Sequence, residues 1–346
     1  MSLSTASNRY EHFVGIDVAA VSATACEWQP TGASSAPFTF AQSQAGYATL
    51  HQRLRQQECT PTRVLIVLEA TGSYWMNLAS YLVRQGYAVS VINPAQAHYF
   101  AKALLQRSKS DELDAQMLAE LAFRLQPDCW SPPPAVYEEL QQRLTQRDSL
   151  VAMRQQVRNQ LHALQQHPVV VEAVQQRMQA LLTTLESQIK QIEQELRVVL
   201  QQDAAWARAA QRLQSITGVG LITTGWLLVA TLAFTACETP QAATAYAGLA
   251  PRLNQSGTSL RGRATIGHGG HARLRSALYL ATLSATRFNP VIHAFYERLR
   301  AAGKPNKVAR CAAARKLLHI AWAVVTKDQD FDPTYGQAAP DHGLAA

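Results

Sequence analysis

Four carboxylates stand at structural punctuation points: Asp17 in HFVGIDVAA, Glu69 in RVLIVLEATGSYW, and Asp111 with Asp114 in RSKSDELDAQML. The first two close short apolar runs that read as buried strands. The last pair opens a predicted helix, on which residues three apart share a face. Carboxylates gathered from three elements into one cleft repel strongly unless a cation sits among them. Magnesium fits that demand, because a hard dication prefers carboxylate oxygen. Taken singly, each acid has an ordinary reading as a turn residue, a cap or a complement to a helix dipole. Asp17 and Glu69 weight the set toward a metal site, since an acid ending an apolar strand is costly to hold near a core without a partner. Carboxylates holding paired magnesium ions can activate an attacking oxygen and stabilise the leaving oxygen of a phosphodiester. On that reading Asp17, Glu69 and Asp114 are direct ligands and Asp111 is a ligand or an outer partner. Lys102, Arg107 and Lys109 then pair with phosphates, or simply neutralise the acids.

A serine is the second candidate. Ser256 lies in NQSGTSLRGR, where Gly257 permits unusual backbone geometry, and Arg252, Arg261 and Arg263 could stabilise a charged phosphoryl transition state. A serine hydroxyl is a weak nucleophile without a base or metal, and no adjacent His or Lys supplies one. Spacing alone therefore reads Ser256 as an ordinary loop serine, with Ser259 an equal choice. His268 and His271 have HxxH spacing but sit in a glycine-rich loop, which does not make a metal site.

The elements that must position these residues fall into three stretches. In residues 1–130, His12–Ile16, Ala23–Trp28 and Pro37–Phe40 read as three strands of an antiparallel meander. A helix near Tyr47–Gln57, a strand Arg63–Leu68, a helix Ser73–Arg84, a strand Ala88–Ile92 and a helix after Asn93-Pro94 follow. Three hairpin strands followed by alternating helix and strand is the order of an RNase H-like domain. The run Ser131 to Pro134 is a rigid linker signal. Beyond it, in residues 131–205, Val174, Met178, Leu181, Leu185, Ile189, Ile192, Leu196 and Val199 recur at spacings of three and four, the seam of a coiled coil or helical hairpin. His167-Pro168 breaks that pattern into two helices. The seam serves self-association or an intramolecular hairpin. In residues 206–330, SITGVG places a Gly-x-Gly turn between helices, similar to arrangements that offer backbone N–H groups to phosphate. A Gly- and Arg-rich loop between apolar helices follows, and residues 331–346 read as a frayed tail. The fold class is thus α/β plus all-α.

Composition narrows the partners. A net charge of +8 and a pI near 9.4 call for a polyanion. The arginines, including Arg273 and Arg275 in HARLR, are spread through loops and helices and form no juxtamembrane cluster, which favours nucleic acid over lipid. Cys26, Cys59, Cys129, Cys237 and Cys311 are odd in number, scattered and never in a CxxC pair, so neither a disulfide framework nor a zinc cluster is expected. No signal peptide or membrane-length apolar run is present, and a cytoplasmic protein acting at the nucleoid is expected.

The combination of GIDVA, LEATGSYW, the KSDELDA stretch, SITGVG and GLAPRLNQSG followed by GHGGHARLRSAL resembles the transposases of the insertion sequence 110 family, over about Phe13 to Val325. The resemblance implies an N-terminal RuvC-like domain whose DEDD metal site maps onto Asp17, Glu69, Asp111 and Asp114. It also implies a C-terminal transposase domain whose catalytic serine maps onto Ser256, the serine in the family's P-x-x-x-x-S-G context. It further implies a DNA recombinase directed by a structured bridge RNA that pairs with donor and target DNA. Such enzymes act as homo-oligomers, dimers or tetramers, in which the metal-bearing domain of one subunit meets the serine of another. The family usually carries a Lys or Arg before a Gly-Asn pair after the serine. Here the chain reads TIGHGGHARLR, which leaves His268 and His271 as candidate phosphate contacts. A metal-dependent junction nuclease and a catalytically silent nucleic-acid scaffold are the alternatives.

Overall fold

The computed structural model describes residues 9–29, 32–56, 60–106, 108–252, 255–256, 260–261, 265–267 and 269–334, with the side chains of 252–265 outside the description. The chain forms two compact units, Met1–Pro132 and Pro133–Ala346.

The first unit is a five-stranded sheet with helices on both faces. In chain order it comprises β1 (His12–Val18), β2 (Ser22–Trp28), β3 (Phe38–Ala41), α1 (Gln44–Gln56), β4 (Val64–Glu69), α2 (Trp75–Arg84), β5 (Ala88–Ile92), α3 (Pro94–Ala103) and α4 (Asp111–Leu125). The spatial order is β3-β2-β1-β4-β5. β1, β2 and β3 pair antiparallel through short turns, while β1–β4 and β4–β5 pair parallel. Parallel neighbours need crossover connections, and α1 and α2 supply them. This is the RuvC-like, RNase H-type sheet that the element order predicts.

Alternation sorts the side chains of β1 and β4 between two cores. Val14, Ile16, Val64, Ile66 and Leu68 pack with Tyr47, Leu50, Leu78 and Leu82 on one face. Phe13, Leu65 and Val67 pack with Met117, Leu118, Leu121 and Ala122 of α4 on the other. β1 runs two residues past the expected end, because pairing with β2 continues to Val18 opposite Ala23.

The second unit is helical. It begins with α5 (Ala135–Leu164) and α6 (Glu172–Val199), separated around the expected His167-Pro168 break. They are antiparallel: Arg143 pairs with Glu195, Arg147 with Glu193 and Arg158 with Glu186. There follow α7 (Ala204–Gln214), α8 (Leu221–Thr231), α9 (Pro240–Tyr246), the two-residue strands β6 (Pro251–Arg252), β7 (Gln255–Ser256), β8 (Leu260–Arg261) and β9 (Thr265–Ile266), then α10 (Ala272–Phe288), α11 (Pro290–Ala301) and α12 (Asn306–Thr326). One apolar cluster runs from Val136 and Leu140 through Ile192 and Leu196 to Leu278, Leu317 and Val324. The predicted seam residues Leu185, Ile189, Ile192, Leu196 and Val199 are buried within the single chain, whereas Leu181 is half exposed. Most of the seam is therefore the inside of a hairpin.

The Gly-x-Gly turn between α7 and α8 has a packing cause. Gly218 has φ +100°, and a Cβ there would stand 2.7 Å from the Cβ of Ala285 on α10.

Candidate active site

The acidic residues are positioned by the side of the sheet that α4 covers. Gly15 lies directly beneath that helix, where a Cβ would come within 2.1 Å of the Ala119 nitrogen and 2.2 Å of the Ala115 carbonyl oxygen. Only a residue without a side chain lets the helix backbone lie so close. Asp17 is two residues on and so points to the same face. Ile16 pairs with Leu68 across β1–β4, which sets Asp17 level with Glu69, itself on the face of Leu65 and Val67. Asp111 and Asp114 occupy the first turn of α4, fixed by Ser110, whose Oγ accepts from the Leu113 N–H at 3.2 Å. Three elements thus deliver four carboxylates to one end of one face.

Electrostatics register that meeting. The Asp17 carboxyl is pushed up to about 6, by burial first and then by the charges of Asp114, Asp111 and Glu69, with the Val18 N–H acting the other way. Asp114 is also raised, by burial above all, with Glu69 and Asp111 adding to it and Lys109 opposing. Lys109 therefore faces the acids and offsets part of their charge. Thr71, which the sequence reading did not single out, donates its hydroxyl to Glu69 Oε1 at 2.7 Å. Its signal was available in the spacing, since a Thr two residues after a strand-ending acid is placed to orient it. The rim is tied together by Gln42, whose Nε2 donates to the carbonyls of Ala19 at 3.2 Å and Tyr74 at 3.3 Å. Lys102 closes the last turn of α3, and Arg107 lies outside the described residues.

In kind, this donor set fits a hard dication: four carboxylates, two with protons held more tightly than usual by burial and mutual repulsion. In spacing, no group of three His, Cys, Asp or Glu among the described residues could hold a metal ion as it stands. The acids are neighbours through charge rather than contact.

The serine region is an excursion between α9 and α10. β6 pairs with β9, Pro251 opposite Ile266 and Arg252 opposite Thr265; β7 pairs with β8, Gln255 opposite Arg261 and Ser256 opposite Leu260. Gly257, Ser259, Arg263 and His268 lie outside the described residues. The base of the excursion is pinned. Arg275 Nη1 donates to the carbonyls of Ala247 at 3.2 Å and Gly269 at 3.1 Å, and the His271 N–H donates to Tyr246 O at 2.7 Å. Gly248 (φ +68°) and Gly270 (φ +88°) make the closure possible, since a Cβ on Gly248 would sit 2.3 Å from both Arg275 Nη1 and Gly269 O.

His271 caps α10 by accepting the Leu274 N–H on Nδ1 at 3.1 Å, between the rings of Trp226 and Tyr246. Burial, then the charge of Arg273, lowers its pKa. Arg273 lies over Trp226 and reaches Asp148 Oδ2 at 3.3 Å. Of the predicted phosphate contacts in this region, Arg273 and Arg275 thus have internal partners.

Comparison with known proteins follows the same division. Residues 14–168 match the transposase model of the DEDD type of IS110, and residues 210–297 match the model described as transposase, IS116/IS110/IS902 family. The two matches cover both the acidic site and the serine excursion. The chain belongs to the IS110 family of transposases. Among its relatives is the pilin gene-inverting protein of Moraxella bovis, 29% identical over 326 residues, covering 92% of this chain and 97% of the other. The counterpart in Moraxella lacunata matches to the same extent. The transposase for insertion sequence element IS1328 of Yersinia enterocolitica is 24% identical over 322 residues, covering 84% and 93%. This IS110-family chain is accordingly a DNA transposase or recombinase, in a family that generally uses a divalent metal. No helix among its described residues is long and apolar enough to cross a membrane.

Proposed function

We propose that the chain is an RNA-guided DNA recombinase of a mobile element, in which Asp17, Glu69, Asp111 and Asp114 hold magnesium and Ser256 is the nucleophile. The observation that carries this reading is the delivery of four carboxylates from β1, β4 and α4 to one end of one sheet face, where burial first and then the charges of the other three raise the Asp17 pKa to about 6. So much like charge, unrelieved by more than Lys109, calls for a cation. Bound there, a divalent ion would supply the positive charge that eases ionisation of a hydroxyl and steadies a phosphoryl group.

The chain's own residues do the rest. Ser256 Oγ attacks a backbone phosphorus, and the Oγ–P bond forms as the bond from phosphorus to a deoxyribose oxygen breaks. The serine proton leaves to a carboxylate or to water, and the departing oxygen takes up a proton. The phosphodiester is conserved as an enzyme ester, ready for a second strand to reverse the step. Gene inversion, the act named for the Moraxella relatives, needs such conservative exchange. Arg252, Arg261 and Arg263 balance charge on the phosphoryl group. Because no base adjoins Ser256 in sequence, we place the carboxylates of another subunit beside it in a homo-oligomer, with a structured guide RNA selecting donor and target DNA.

The test is covalent capture. Labelled donor DNA, the guide RNA and magnesium are mixed with the protein and resolved on a denaturing gel. Wild type and Ser259→Ala are expected to shift the label into a protein adduct, whereas Ser256→Ala binds nucleic acid and forms none. Undiminished adduct in Ser256→Ala, or strand exchange without any adduct, removes the serine and leaves a metal-dependent junction nuclease acting through water.

A further inference from the structure

Residues 273–327 hold eleven Lys and Arg and a single acid, Glu297. That balance of +10 exceeds the +8 of the whole chain, so everything outside the segment sums to −2. The excess charge of this protein therefore resides on α10, α11 and α12. Arg273 and Arg275 have the internal partners described above. Arg287, Arg298, Arg300, Lys304 and Lys307 are exposed. Among the described residues no ion pair joins any of these five to an acid, unlike Arg212, which pairs with Asp328 and Asp330.

The charges concentrate around the turn between α11 and α12. Arg300 Nη1 donates to the Lys304 carbonyl at 2.6 Å, which folds the end of α11 against the turn. Arg298 and Lys316 approach the same Phe295 ring, at 5.3 and 4.8 Å from its centre. Arg310, one turn beyond Lys307, has a buried Nε with no hydrogen-bond partner. The first turn of α12 has neither a side-chain cap nor an acid. With Glu297 the single acid in the segment and no ion pair to it among the described residues, the turn carries a positive field that an external polyanion relieves.

A membrane surface does not suit this patch. Interfacial helices insert an apolar face, and that of α12 is already committed: Ala309, Ala313, Ala314, Leu317 and Leu318 are buried in the core. We propose that the α11–α12 turn, through Arg298, Arg300, Lys304 and Lys307, grips the phosphate backbone of duplex DNA flanking the exchanged strands. The turn follows the serine excursion in sequence, and Arg298, Arg300, Lys304 and Lys307 lie beyond residue 297, where the second family match ends. The inference rests on the reading of DNA as substrate.

The test is a salt titration of the full-length protein on a labelled DNA duplex, read by fluorescence anisotropy. For the triple variant Arg300→Gln, Lys304→Gln, Lys307→Gln, the slope of log affinity against log salt should shrink by about 0.9 for each lost contact. Affinity at physiological salt should fall on the order of a hundredfold. If the triple variant melts early, the double Lys304→Gln, Lys307→Gln, which leaves the Arg300 bond in place, should still lose about 1.8 of slope. An unchanged slope in a well-folded variant overturns the proposal. So does a loss confined to an RNA duplex of the same length. Wild type that fails to bind DNA at all would instead undo the underlying reading.

Discussion

The acidic site and the serine region solve the problem of placing a reactive group in opposite ways. The carboxylates ride on core elements, with Asp17 and Glu69 closing strands whose apolar residues are buried and Asp114 on a helix pressed onto Gly15. The serine stands on one of two short ladders between α9 and α10, whose base is tied by Arg275, His271 and two left-handed glycines. In the first case the scaffold imposes the geometry and must hold like charges against their repulsion. In the second, polar contacts at the base close the excursion. Substitution should therefore uncouple stability from activity in the first region and couple them in the second.

The largest effect is expected at the acids. Asp17→Asn, Glu69→Gln or Asp114→Asn should each lower strand exchange on the order of a thousandfold or more, since each removes a charge that no other residue replaces. Asp17→Asn should simultaneously raise the melting temperature in divalent-free buffer at pH 7. The folded carboxyl titrates near 6 and the unfolded one near its ordinary value of 3.8, so the fold loses stability as pH rises from 3.8 through about 6 and carries the full penalty at pH 7. Asp17 leaves the fold undisturbed below pH 3.8, and the advantage of the Asn variant should vanish there. A variant that melts early at pH 7 would show the carboxylate to be structural and break the contrast.

Arg275→Ala comes next. It leaves the Ala247 and Gly269 carbonyls without their donor, a loss of about 1–3 kcal/mol. Limited proteolysis should then cut within residues 249–270 while α10 survives, and adduct formation should fall with the opening. Arg275→Lys, keeping one cationic donor, should recover part of both. Equal protease resistance in Arg275→Ala would mean the excursion has a scaffold of its own.

The smallest effect concerns pH. His271 is held below its ordinary value, so the unfolded chain takes up that proton first on acidification. Its contribution to stability is present above pH 6.5 and is lost as the pH falls below that value. Protonation would also remove the Nδ1 acceptor that caps α10. His271→Asn, a cap that does not titrate, should flatten the dependence of melting temperature on pH between 6.5 and 5. A parallel dependence in the variant would assign the acid sensitivity elsewhere.

Much of the first unit was legible because strand alternation and the Asn93-Pro94 start are local signals, and local signals agree with the sheet that forms. The role of Gly15 was not legible, because its cause lies a hundred residues away in the backbone of α4. The seam of α6 was read correctly as apolar, but its partner was open; ion pairs such as Arg147 with Glu193 join it to α5 of the same chain. Replacing Leu185 and Ile192 with Asp would accordingly break the hairpin before it tested any assembly. Arg273 and Arg275 read as phosphate contacts because arginine in a glycine-rich stretch looks free. The carbonyls and the Asp148 carboxylate that engage them come from other segments.

The sheet order also bears on when the acidic site comes into being. β1, β2 and β3 are joined by short turns, and their pairing closes small loops. Asp17 meets Glu69 only when β1 pairs with a strand beginning at Val64, and meets Asp114 only when α4 docks from further still. Contacts so distant in sequence form after the local ones. The four charges are thus dispersed along the chain while it collapses, and their repulsion is first felt when the rest of the domain is already assembled to withstand it.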